Sequence, residues 1–218
     1  MIYLIITTSI IPNENSRHYS VEDPNRERRY LECIRECMNV VHEIQRETKT
    51  GILPVCPVIV ENNGKRQTPL NQMGCEVIYT NNNQLSFPHK GGNEMADIKA
   101  VLRHCNVKDD DLVIKMTGRY KFINASFVKD VIRRQHDYDA FLKFFNVCTR
   151  EFMRNDCVLG AYVLRGRLLK EFDYKYERSA ECEFATYVRD HVASDRLCEV
   201  QHIGMECCFS DDLRIEYI

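Results

Sequence analysis

The sequence predicts an α/β protein in three layers, with a central, mostly parallel sheet flanked by helices. Short apolar runs at 2–9, 55–60, 76–79 and 112–114 alternate with segments of helical periodicity, the order that builds parallel sheets covered on both faces. No fixed-period repeat and no shift of composition divides the 218 residues, which suit one domain. With 44% hydrophobic and 28% charged residues the chain has ordinary globular usage and enough apolar side chains for a substantial core.

Residues 2–9 read as the first strand, too short to span a bilayer and without the basic leader of a signal peptide. A polar loop is expected over 12–24. From 25 to about 49, Tyr30, Ile34, Cys37, Met38, Val41 and Ile44 recur at helical spacing, and Gly51 supplies the stop. Arg26, Arg28 and Arg29 near that helix start could face an anion but read first as a solvated face. A second strand over 55–60 runs into the turn signal of Glu61, Asn62, Asn63 and Gly64. A short helix or loop over 65–72 and a third strand over 76–79 follow, then a helix over roughly 94–105, preceded by Lys90, Gly91 and Gly92. The strand at 112–114 comes next. Beyond Phe122 the sequence predicts a helix over 125–135, an aromatic strand over 138–145 and a strand or helix start over 159–164. A helix over 179–192 and a last strand or loop over 200–209 complete the chain.

The formal net charge of −2 provides no general basic field, so nucleic acid is not an expected partner and any anion site must be local. Eleven cysteines, an odd number without a C-x-x-C pair, are not a disulfide framework. They read as small buried apolar residues of a soluble, cytoplasmic protein with no membrane span.

The strand at 112–114 leads directly into Lys115, Thr117, Gly118, Arg119, Tyr120 and Lys121. Ligands of open α/β sheets bind just beyond the carboxyl ends of the strands, and cations beside a close-approaching backbone suit a phosphate or diphosphate. Thr7, Thr8 and Ser9 end the first strand, where hydroxyls either contact a nucleotide or shape a turn. The glycine-rich loops of P-loop NTPases and dinucleotide dehydrogenases are absent, as are the nucleophile elbow of serine hydrolases and the zinc motif H-E-x-x-H.

Three motifs stand in order along the chain: Lys90 and Gly91 with Asn93 and Glu94; Lys115 with Thr117, Gly118, Arg119 and Tyr120; and Ile203, Gly204, Met205 and Glu206. In these, from residue 1 to about 210, the chain resembles small GT-A-like glycosyltransferases of large DNA viruses (chlorella-virus type) and of bacterial surface-polysaccharide clusters. The resemblance implies a single GT-A-like, Rossmann-like domain over 1–218, with a donor half at about 1–122 and an acceptor half at about 123–218. It implies transfer of one sugar from a nucleotide-diphosphate donor, UDP-linked, to a hydroxyl of a glycan or glycoprotein. For a viral protein it implies capsid glycosylation in the host cytoplasm. Thr7, Thr8, Ser9, Glu61 and Asn62 would lie beside the base and ribose, and Lys90 and Asn93 near the diphosphate or donor sugar. Lys115, Thr117, Gly118, Arg119 and Tyr120 would hold the diphosphate.

The family places a D-x-D at the end of the fourth strand to hold Mn²⁺ or Mg²⁺, and this sequence has Lys115, Thr117, Gly118 and Arg119 there. The departing diphosphate needs its charge neutralised by an ion or by fixed cations, so two options stay open. Lys115 and Arg119 could serve as fixed cations. Alternatively, a Mn²⁺ or Mg²⁺ ion could sit at Asp137 and Asp139, the literal D-x-D, or at His202 with Glu206 or Asp211. The aspartates 109–111 lie at the wrong end of their strand and read as a solvated turn.

Transfer to a hydroxyl calls for a base. Glu181 and Glu183 are the candidates, with Glu181 preferred because Glu183 shares a helix face with Tyr187; both also suit a helix N-terminus electrostatically. Tyr120, Phe122, Tyr138, Phe141, Phe144 and Phe145 read as core before they read as a sugar-stacking platform. Two alternatives remain from other classes: a non-catalytic nucleotide- or glycan-binding module, and another α/β nucleotide-using transferase such as a nucleotidyl- or methyltransferase.

Overall fold

A computed structural model of the chain describes residues 1–11, 24–48, 55–209 and 213–218. Most of the polar loop, the helix stop at Gly51 and the metal option at Asp211 lie outside the described residues. Strand β1 (Ile2–Thr8) is followed by α1 (Arg26–Thr48), β2 (Val55–Glu61), β3 (Glu76–Tyr79), α2 (Lys90–His104) and β4 (Leu112–Thr117). Then come β5 (Tyr120–Phe122), α3 (Ser126–Arg133), β6 (Ala140–Leu142), β7 (Ala161–Arg165) and α4 (Gly166–Glu171). Helix α5 (Ala180–His191), β8 (Leu197–Glu199), β9 (Met205–Cys208) and β10 (Ile215–Tyr217) complete the order.

Seven strands form the main sheet in the order β3-β2-β1-β4-β7-β6-β8. Every pairing is parallel except those of β7, which runs against both β4 and β6. Strands β5, β9 and β10 make a small antiparallel sheet. Side chains alternate across a strand, and that parity divides the interior. Ile2, Leu4 and Ile6 of β1, with Leu112, Ile114 and Met116 of β4, face the apolar stripe of α1 and the buried residues of α3. Tyr3, Ile5 and Val113 point the other way, against α2, α4 and α5. These are the three layers that the sequence predicts, and β1 and β4 lie at their centre.

Several local expectations are corrected. Helix α2 starts at Lys90, four residues early, and takes Gly91 and Gly92 into its first turn. Those glycines permit contact: a Cβ on Gly91 would stand 2.8 Å from the Ala180 Cβ, and one on Gly92 would stand 2.6 Å from the Tyr176 hydroxyl and 2.8 Å from the Phe87 Cβ. Gly92→Ala is therefore expected to cost about 1–3 kcal/mol through overpacking, read as a lower urea midpoint at unchanged slope. The short helix or loop expected over 65–72 is a loop that holds the short 3₁₀ turn Pro69–Gln72. The aromatic strand shrinks to Ala140–Leu142, and 161–165 is a strand. Asp111 is buried, where it accepts from the N-terminal ammonium at 2.6 Å and the Lys108 N–H at 2.7 Å. Tyr120, Phe122, Phe141 and Phe144 are core, as their strand positions predict. All eleven cysteines are free thiols, and burial pushes those of Cys33 and Cys75 up to about 11. No described helix is long and apolar enough to cross a membrane.

Candidate active site

A cavity of about 520 Å³ opens beyond the carboxyl ends of β1 and β4, bounded on its far side by residues 157–160 and the start of α5. Strand parity sets its floor. Thr7 and Thr117 point to the α2 side of the sheet, and Glu94 reaches between them from α2. Glu94 Oε1 accepts from Thr7 at 2.5 Å and Thr117 at 3.2 Å, and pairs with the Lys115 ammonium at 2.8 Å. Lys115 shares this parity, which buries its charge completely. Its Nζ also donates to Thr117 Oγ1 at 3.0 Å and the Leu159 carbonyl at 3.1 Å, above the Tyr162 ring. Lys115 is thus a brace for Glu94 and for the 157–160 wall, and not a cation presented to a diphosphate.

The β1 end is braced in the same way. Glu61, completely buried, accepts from Thr8 Oγ1 at 2.9 Å, the Ile10 N–H at 3.0 Å and Asn63 Nδ2 at 2.7 Å. It therefore orders the β1 end of the cavity from behind the wall instead of lining it. Thr8, Ser9 and Asn62 do line the cavity. Asn62 donates to Asp97 at 3.0 Å, as do Thr80 at 2.6 Å and Asn82 at 2.8 Å. Burial pushes the Asp97 carboxyl up to about 7 against those three hydrogen bonds. Asn93 donates to the carbonyls of Asn82 and Leu85 at 2.6 and 2.9 Å, leaving its Oδ1 buried without a partner.

Arg119, Lys90, Arg26 and Arg214 all line the cavity. Arg119 follows Gly118, whose N–H donates to the Thr7 carbonyl at 2.8 Å. A Cβ on Gly118 would stand 2.8 Å from Thr8 Cγ2, so this glycine lets the chain past β1 and is not itself part of the wall. Two guanidinium nitrogens of Arg119, Nε and Nη1, are buried without a hydrogen-bond partner among the described residues. Lys90 makes no hydrogen bond or ion pair among the described residues. Burial, then repulsion from Arg119 and Arg26, pushes its ammonium down to about 8, with Glu94 pulling the other way. Arg26 donates to the Ser9 carbonyl at 2.7 Å and lies over the Tyr30 ring. Tyr120 closes the wall beside Arg119.

On the opposite rim stands Glu181, in the first turn of α5 behind the cap that Ser179 makes to the Cys182 N–H. Its carboxylate has no partner among the described residues. Glu183 does not share this setting. It accepts from the backbone N–H groups of Lys175, Glu177 and Arg178 at 2.8, 2.6 and 3.0 Å, tying down the loop before α5. Those donors hold its carboxyl below the usual range although burial opposes them.

Of the metal candidates, Asp137, Asp139 and His202 lie away from the cavity. Asp139 is clamped by Arg165, Arg167 and Arg196 at 3.0, 2.6 and 2.9 Å, which outweigh burial and bring its carboxyl to about 2. Asp137 and His202 are exposed elsewhere. Among the described residues no three His, Cys, Asp or Glu side chains group to hold a metal, and a guanidinium occupies the region where a D-x-D would stand.

The sequence reading did not single out Glu94, Arg26, Asp156 or Arg214 as site residues, and all four line the cavity. The i, i+4 spacing of Lys90 and Glu94 was available as a signal only with the helix start placed at Lys90. Asp156 and its partner Asn146, 2.6 Å away, come from an irregular stretch without periodicity.

Comparison with models of protein families finds no match, and comparison with the sequences of curated proteins finds none either. Solved structures do match. The mannosyltransferase PcManGT of Pyrobaculum calidifontis, in complex with GDP-mannose and Mn²⁺, superposes with a TM-score of 0.56 at 9% identity, covering 93% of this chain and 55% of that one. Glucosyl-3-phosphoglycerate synthase of Mycobacterium tuberculosis, with Mn²⁺, UDP and glucosyl-3-phosphoglycerate, gives 0.54 at 12% identity over 92% and 69%. A glucose-1-phosphate thymidylyltransferase of Bacillus anthracis, itself assigned only provisionally and in complex with sucrose, gives 0.50 at 13% identity over 92% and 86%. The chain spans about half the length of the mannosyltransferase. At such identities the likeness establishes the fold and leaves the chemistry to this chain's own residues. The chain has a GT-A, Rossmann-like α/β fold, shared with nucleotide-diphospho-sugar transferases.

Proposed function

We propose that the chain is a glycosyltransferase that moves one sugar from a nucleotide-diphosphate donor, UDP-linked, to a hydroxyl of a glycan or glycoprotein, in the cytoplasm. The observation that carries this reading is Arg119, whose buried guanidinium nitrogens lack partners among the described residues at the wall of a cavity beyond β1 and β4. Buried donors are ordinarily satisfied, and two phosphate oxygens satisfy a guanidinium fork. Lys90 and Arg26 add charge at the same cavity, and Thr8, Ser9 and Asn62 supply polar groups for the base and ribose.

In the reaction the acceptor oxygen bonds to the anomeric carbon, the bond from that carbon to the diphosphate oxygen breaks, and the nucleoside diphosphate leaves with the electron pair. The acceptor proton passes to Glu181. Arg119, Lys90 and Arg26 stabilise the charge that develops on the leaving group. Mn²⁺ is present with GDP-mannose in the first of the sugar transferases above and with UDP in the second. Among the described residues no three His, Cys, Asp or Glu side chains group to hold such an ion, and no step is drawn through one. EDTA is expected to leave UDP binding undiminished; an affinity that collapses in chelator and returns with Mn²⁺ or Mg²⁺ would overturn the fixed-cation reading.

Glu181→Gln is expected to keep donor affinity and lose about 10²–10⁴-fold in turnover, the usual worth of a general base. Unchanged UDP release in that variant would remove Glu181 from the mechanism. Pyrophosphate release from a nucleoside triphosphate and a sugar phosphate would replace the reading with nucleotidyl transfer.

Lys90 adds a pH signature. An anionic donor stabilises the ammonium, so the bound-state pKa lies above the free value of about 8. Affinity for UDP-glucose is then constant well below pH 8 and falls as pH rises through it, by up to tenfold per unit, levelling above the bound-state pKa. Lys90→Met is expected to flatten that profile in calorimetric titrations from pH 6 to 10.

A further inference from the structure

We propose that Glu94 reads the transferred sugar, accepting hydrogen bonds from its ring hydroxyls and excluding donors whose sugar carries a carboxylate. The inference rests on the donor-site reading above and names the class of sugar: neutral, with free hydroxyls.

Glu94 is the carboxylate that shares a helix with Lys90 at the cavity wall, apart from Asp156 and Glu181 in the same lining. Its Oε1 is saturated by Thr7, Thr117 and Lys115. Its second oxygen accepts nothing among the described residues. The side chain is 26% exposed, on the cavity wall. Lys115, 0% exposed and enclosed by Glu94, Thr117 and the Leu159 carbonyl, has no reach into the cavity. Its charge serves to keep Glu94 ionised: burial would raise the carboxyl, and Lys115 with the two threonines brings it below the usual range. A carboxylate held this way, with one oxygen fixed and the other without a donor among the described residues, is a preorganised acceptor for hydroxyl donors.

Position supports the same ligand. Lys90 and Glu94 stand i, i+4 on α2, neighbours on one face about 5–6 Å apart. A diphosphate held by Lys90 and Arg119 would place its attached sugar about one helical turn deeper, over Glu94 and toward the 157–160 wall that Lys115 also holds. A uronate or other acidic sugar would bring a second carboxylate into a poorly hydrated floor, where like charges repel strongly.

The test compares UDP, UDP-glucose, UDP-galactose and UDP-glucuronate by calorimetry on the wild-type chain, on Glu94→Gln and on the double variant Glu94→Gln with Lys115→Met. The double variant removes the buried charge pair together, so it keeps the comparison valid should Glu94→Gln alone fail to fold. In the wild type at least one neutral donor is expected to bind tenfold or more tightly than UDP-glucuronate. In the variants that ratio is expected to fall to within threefold, while UDP affinity stays within threefold of wild type. A ratio that survives in the variants overturns the role of Glu94 alone, and so does an equal loss for UDP and its sugar conjugates. A wild type that binds none of the four overturns the UDP-donor reading itself.

Discussion

Arg119→Met is expected to lose at least about 100-fold in affinity for UDP and UDP-sugars, close to 3 kcal/mol, while the unliganded protein becomes no less stable. The two halves of that result have one cause. In the free protein the guanidinium is largely out of water with Nε and Nη1 unpartnered among the described residues, a situation that costs roughly 1–3 kcal/mol for a polar group and more for a charged one. Methionine fills similar volume without that penalty. The ligand, by contrast, loses its forked contact, and truncating one partner of a buried charge pair costs about 2–5 kcal/mol. Thermal unfolding should show an unchanged or higher midpoint, and a ligand-induced rise that shrinks or vanishes. Normal UDP affinity in this variant would remove Arg119 from the donor site. A fall of many degrees in its melting temperature would show that the arginine is structural.

Lys115→Met should act in the opposite sense. The substitution leaves Glu94 partly buried with only two threonine hydroxyls as donors, and breaking a buried pair by removing one partner costs about 3–5 kcal/mol. For a chain of this size that is a drop of roughly 10 °C. The deficit has a pH dependence whose sign follows from the lone carboxylate. Without Lys115 the folded-state pKa of Glu94 rises above its unfolded value near 4.3. The loss is then absent below about pH 4 and grows as pH increases through the raised pKa. Urea titrations at pH 4, 5.5 and 7 would trace it, and Glu94→Gln in the same chain should recover most of the loss. Wild-type stability for Lys115→Met at pH 7 would mean that the pair contributes little.

Much of the fold was legible because it follows from periodicity. The stripe from Tyr30 to Ile44 and the apolar runs of β1, β2 and β4 are local patterns with one reading each. The site was legible as a place, the strand ends near Thr7 and Thr117, because open parallel sheets bind ligands there. What the pattern could not assign is which of two adjacent cations serves the cavity. Lys115 and Arg119 look equivalent as letters, yet Lys115 falls on the α2 side of β4 and meets Glu94, whereas Arg119 lies past Gly118, where strand parity no longer applies. Asp139 looked like half of a metal motif, and three arginines distant in sequence make it a structural clamp. Gly91 and Gly92 looked like a loop because their reason for being glycine lies more than eighty residues away, at Tyr176 and Ala180.

That close approach joins the rim that would grip the donor to the rim that carries Glu181. His89 meets the edge of Tyr174 with ring centroids 4.7 Å apart, Phe87 stacks on Tyr176 at 6.0 Å, and Gly91 touches Ala180. Prising the two jaws apart at this seam would forfeit aromatic contacts of about 0.5–1.5 kcal/mol each. The gap between leaving group and base is in that sense cast rather than hinged, and an acceptor must match its width instead of stretching it.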